Sequence, residues 1–110
     1  MEHFLRELGE GFAFIGSEYK IKIGNNRHFI DLLLFNTEFN CYVVVELKAI
    51  KFKAEYIGQV QKYMNYIDRH LKNPFQAETI GIIIAKRHNK FILEYCSDPR
   101  IKVVEWRLDN

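Results

Sequence analysis

Cysteine and proline are scarce in this 110-residue chain, with two of each. A small secreted domain stapled by disulfides needs more thiols than Cys41 and Cys96 supply, so both read as reduced and structural. Long apolar runs are also missing. The longest, 30–35 with Asp31 inside it and 42–45, fall far short of the roughly 20 residues a membrane-spanning helix requires, and no membrane partner is expected. The first eight residues carry Glu2, Arg6 and Glu7 where a secretory signal needs an apolar core, which leaves the cytoplasm as the expected compartment. Neither sign of charge dominates, since 16 Lys and Arg against 14 Asp and Glu leave a formal net charge of +2. That is too mild for a nucleic-acid coat protein and compatible with a local basic patch. There is no Gly-rich phosphate loop, no nucleophile elbow and no zinc-ligand spacing. His3, His28, His70 and His88 are scattered and read as surface or packing residues.

What is present is an ordinary globular composition, 48% hydrophobic and 27% charged, with no repeat, linker or low-complexity stretch. One domain over 1–110 is expected. Residues 1–8 place Phe4, Leu5 and Leu8 on one helical face, and Gly9 and Gly11 allow a stop. Over 18–23, Tyr19, Ile21 and Ile23 alternate with Lys20 and Lys22, a half-exposed strand that enters a tight turn at Gly24-Asn25-Asn26. Segments 29–35 and 42–47 are nearly all apolar, as strands covered on both faces should be. Over 54–71, Ile57, Val60, Met64, Ile67 and Leu71 recur at spacings of three and four, which predicts an amphipathic helix ended by Lys72-Asn73-Pro74. A buried strand over 79–85 follows, and a long helix between two such strands fits a right-handed parallel crossover. Residues 89–96 mix helical spacing with β-prone side chains and are expected to form a short helix, before a last strand over 101–106. The order is helix, three strands, helix, strand, helix, strand: an α/β chain with a mixed sheet flanked by helices.

Asp31 within Phe29-Ile30-Asp31-Leu32-Leu33-Leu34 is the feature that asks for an explanation, because an ionised carboxylate in a covered strand is costly unless compensated. Fifteen residues later, Val43-Val44-Val45-Glu46-Leu47-Lys48 ends a second buried run with Glu46 and Lys48 on one face. A four-residue loop over 37–40 would pair Asn36 with Cys41 and so set Asp31 opposite Glu46, with Cβ atoms roughly 5 Å apart. Two carboxylates that close repel unless a divalent cation bridges them, and hard oxygen ligands suit Mg²⁺ or Mn²⁺. An acid two residues before a base is weak evidence alone: composition predicts about two such pairs by chance. The chain has four, and Glu18 with Lys20, Asp98 with Arg100 and Glu105 with Arg107 read as solvated ion pairs. Only Glu46 and Lys48 close a buried run next to another buried acid, and a structural ion cluster is the competing reading of these residues.

Glu7-Leu8-Gly9-Glu10-Gly11-Phe12-Ala13-Phe14, Phe29-Ile30-Asp31-Leu32-Leu33, Val45-Glu46-Leu47-Lys48 and Gly58-Gln59 with Tyr63 together resemble the PD-(D/E)XK nuclease superfamily, and within it the YhcG-like family. The similarity runs over nearly the whole chain and implies a restriction-endonuclease-like fold with metal-dependent phosphodiester hydrolysis, on DNA before RNA. By resemblance Asp31 and Glu46 hold the Mg²⁺ or Mn²⁺, and Lys48 orients or activates the attacking water. An acid of the first helix completes the site, matched by Glu7 with Glu10 as its neighbour. Gln59 and Tyr63 resemble a Gln-x-x-x-Tyr element of some branches, although Gln59 could equally be a helix-edge polar residue and Tyr63 core packing. Lys20, Lys22, Lys51, Lys53 and Lys62, with Tyr63, are candidate nucleic-acid contacts, against the plainer reading of a solvated face. Longer family members carry a helical amino-terminal domain, and a homodimer is left open. The alternative from another class is a catalytically silent nucleic-acid-binding or dimerisation module on the same fold.

Overall fold

The computed structural model describes residues 11–48, 52–86 and 98–105. The helices expected over 1–8 and 89–96, together with Glu7, Glu10, Lys51 and Cys96, lie outside the described residues. Within them five strands form one mixed sheet in the order β1-β2-β3-β4-β5: β1 (Phe12–Ile23), β2 (Asn26–Asn36), β3 (Cys41–Lys48), β4 (Ile80–Ala85) and β5 (Ile101–Glu105). The helix α1 (Glu55–His70) joins β3 to β4. β1, β2 and β3 run antiparallel in turn, while β3, β4 and β5 are parallel. Among the described residues no helix is long and apolar enough to cross a membrane.

Both hairpin turns follow from their residues. Gly24 takes φ +61° in the two-residue link between Ile23 and Asn26. The second link is the four-residue loop 37–40, in which Asn40 takes φ +54° and the Asn36 side chain accepts a bond from Phe39 N (2.8 Å). That loop pairs Asn36 with Cys41 and Leu32 with Val45, as the sequence predicts. β1 is longer than expected because a register shift between Phe14 and Gly16 interrupts its alternation and hides its first half from a period-two reading.

α1 lays Ile57, Val60, Tyr63, Met64 and Ile67 on one face of the sheet, against Leu33, Val44 and Ile83. Leu32, Leu34, Val43, Val45, Ile82 and Ile84 form the cluster on the opposite face. Gly81 is what lets helix and sheet close: a Cβ there would stand 2.6 Å from Val60 Cγ1 and 2.9 Å from Met64 Sδ.

Candidate active site

The strands carry a phase change that places the acids. Ile30 and Leu33 both belong to the helix-side core, although three residues apart, which a regular strand forbids. On β1 the pairs Ser17 with Leu32 and Tyr19 with Ile30 bracket Glu18, whose φ is +47°. The sheet therefore coils at Glu18 and Asp31. This turns Asp31 toward the end of β3 and frees its N–H from the ladder.

The freed N–H of Asp31 points at Glu46 Oε1 (3.4 Å), and Leu47 N donates to Asp31 Oδ2 (2.8 Å). The carboxyls of Asp31 and Glu46 meet on the helix side of the sheet, where Val44 also faces α1. The deeply buried acid is Glu46, 2% exposed, whereas Asp31, expected in a fully covered strand, is half-buried because of the coil. Burial first, and then the hydrogen bond and charge of Asp31, push the Glu46 carboxyl up to about 8, against the pull of Lys48. In the absence of a cation, Glu46 thus holds its proton at neutral pH. Two hard oxygen donors pressed together, one keeping its proton because it is buried beside another acid, are a donor set that a divalent cation fits. Among the described residues no group of three or more His, Cys, Asp or Glu side chains gathers, so the pair alone supplies the ligands found there.

Lys48 Nζ lies 3.9 Å from Glu46 Oε2, donates to Gln59 Oε1 (2.9 Å) and sits 4.6 Å from the centroid of the Tyr56 ring. Gln59 Nε2 in turn donates to Tyr63 OH (3.3 Å). The structure thus brings Asp31, Glu46, Lys48, Gln59 and Tyr63 into one connected set. Of the two readings of Tyr63, core packing fits and nucleic-acid contact does not: it is 3% exposed, with its ring against His28 (5.8 Å between centroids). Burial, and secondarily the charge of Glu46, push its hydroxyl up. Lys20, Lys22, Lys53 and Lys62 are exposed. Sequence reasoning missed Tyr56, while His28, read as a surface or packing residue, packs against Tyr63. Tyr56, Gln59 and Tyr63 sit at i, i+3 and i+7, a helical stripe that could have found the first.

The model of the YhcG PDDEXK nuclease domain matches residues 1–108. The chain belongs to this nuclease family. It is 36% identical over 81 residues to YhcG of Escherichia coli (strain K12), a match covering 74% of this chain and 22% of that protein, so the chain spans about a fifth of this curated relative. Two solved structures are similar. One is a repair endonuclease from Pyrococcus abyssi (TM-score 0.65, 17% identity, 96% of this chain and 42% of that one). The other is EndoMS in complex with dsDNA (TM-score 0.61, 18% identity, 98% and 46%). At these identities the likeness establishes the fold, which is restriction-endonuclease-like. Asp31 and Glu46-Leu47-Lys48 are the residues that resemble the acid and acid-x-lysine motif for which the YhcG PDDEXK family is named.

Proposed function

We propose that this chain is a single metal-dependent nuclease domain that hydrolyses phosphodiester bonds in DNA. The observation that carries the reading is the convergence of the Asp31 and Glu46 carboxyls beside the Lys48 ammonium at the end of β3. Asp31 and Glu46 would hold Mg²⁺ or Mn²⁺, with Glu7 or Glu10 as the further acid that the family resemblance implies. A cation bound there supplies charge neutralisation at the phosphate and a water of lowered pKa. Lys48 has donors to spare beyond its bond to Gln59 and directs them at a phosphate oxygen or the attacking water, where negative charge grows in the transition state. Gln59 is a positioning residue, holding Lys48 and itself held by Tyr63. Lys20, Lys22, Lys51, Lys53 and Lys62 would meet backbone phosphates. The similarity to EndoMS, whose structure holds dsDNA, supports DNA as the substrate.

The test is cleavage of labelled linear, nicked, branched and single-stranded DNA and RNA by the chain in Mg²⁺ or Mn²⁺ and in EDTA. Cleavage of DNA that needs the cation and disappears in Asp31→Ala and Glu46→Ala supports the reading. Binding without cleavage of any substrate replaces it with the silent binding module.

A further inference from the structure

Away from the carboxylates, the end of β1 and the outer face of α1 enclose an open groove of about 610 Å³. Lys22 lines one wall, and Gly58, Lys62, Tyr66, Arg69 and His70 line the other. Among the described residues no acid lines it, and none of its three cationic side chains, Lys22, Lys62 and Arg69, makes an ion pair. One acid of the same helix, Asp68, does have partners, since it accepts from Thr79 and meets Arg100. Unpaired like charges facing one another across a groove repel, an arrangement relieved by an anion between them. The groove adjoins the candidate site, because Lys62 Nζ stands 5.9 Å from the ring of Tyr63, whose hydroxyl bonds Gln59.

Gly58 is the second, independent observation. A glycine inside an exposed stretch of helix costs stability relative to alanine and is usually explained by a neighbour that leaves no room for a Cβ. Gly81 has such neighbours. Among the described residues Gly58 has none, because a Cβ built there meets nothing of them within 4 Å. Among the described residues the bare helix surface thus has no packing partner, and it leaves the groove wall open to close approach.

We propose that this groove seats the phosphodiester backbone of the DNA strand beyond the cleaved bond, with Lys22, Lys62, Arg69 and His70 on the phosphates and the strand passing against Gly58. The choice of DNA as occupant rests on the nuclease reading above.

The experiment is fluorescence anisotropy of a labelled 20-base-pair duplex with the whole chain in EDTA, where no cleavage occurs and the metal site plays no part, repeated over a range of salt. The variants are Lys22→Ala/Arg69→Ala and Gly58→Ala, with their melting temperatures recorded. The double variant should lower the slope of log affinity against log salt by about 2, one phosphate contact for each cation removed. Gly58→Ala should bind at least about fivefold more weakly while melting higher, by roughly 2–5 °C, so that lost binding cannot be a folding defect. An unchanged salt slope in the double variant, or a Gly58→Ala protein that binds as tightly as its parent, overturns the proposal. Hydrolysis of bis(p-nitrophenyl) phosphate in Mn²⁺, a substrate too short to enter the groove, reads the carboxylate site separately. If the parent fails to hydrolyse it while the variants still lose DNA affinity, the nuclease reading falls and the groove stands.

Discussion

At the scale of single residues, Glu46 and Lys48 carry opposite burdens. Glu46 is buried beside another acid, and its carboxyl, pushed up to about 8 from an ordinary 4.5, binds a proton in the folded chain that it gives up in the unfolded one between those values. The folded state therefore binds more protons across that window. Without metal, stability is full below the unfolded value and declines as pH rises toward 8, by at most about 1.4 kcal/mol per pH unit for one proton. Urea unfolding in EDTA from pH 5.5 to 8 should show this fall and Glu46→Gln should flatten it; a native chain with no slope in that range contradicts the assignment. Under the proposed function Lys48, tied to Gln59 and Glu46, acts in the transition state. Lys48→Met keeps the stem and removes the charge, so DNA cleavage at saturating Mn²⁺ should drop by about 100-fold or more with little change in DNA affinity. Equal rates in the two proteins would refute the role given to Lys48. The register of the β2–β3 ladder could be read from the sequence because loop length sets it, but the ladder ends at Leu32 with Val45, one pair short of Asp31 and Glu46, whose carboxyls meet where the sheet coils. The relative burial of the two acids could not be so read, since it depends on the coil at Glu18 and Asp31, and nothing about Glu18 as a residue type announces a positive φ.

Among the elements, those governed by a single repeat were legible and those that break it were not. α1 keeps its three-and-four spacing from Ile57 to Ile67 and sits where the pattern put it, and β4 and the apolar run of β3 up to Val45 pair in parallel beneath it. β1 is an edge strand whose shifted register at Phe14 and Gly16 spoils the alternation, so only its second half was visible. The contact between α1 and β4 hides another detail: Gly81 looks like a flaw in a strand, yet it admits Val60 and Met64 to close range. Gly81→Ala should destabilise the chain by about 1–3 kcal/mol through overpacking, read as a lower urea midpoint at unchanged slope. A midpoint equal to that of the parent would mean that helix and sheet are less closely seated than described here.

For the molecule as a whole, the antiparallel hairpin β1–β2 and the parallel unit β3–α1–β4 are two pieces whose seam is the β2–β3 ladder, and both candidate ligands stand on that seam, one from each side. Sheet, helix and site are thus coupled: whatever draws Asp31 and Glu46 together also ties the hairpin to the crossover unit. A cation bound by the folded chain alone should stabilise the whole by mass action, and its uptake should release the proton that Glu46 holds. The most direct measurement is calorimetric titration of Mn²⁺ into the native chain at pH 7 in two buffers of different ionisation enthalpy, beside Asp31→Asn and Glu46→Gln. Binding with proton release in the native chain and loss of binding in both variants are expected. Binding that survives unchanged in both, or no binding by the native chain, would contradict it.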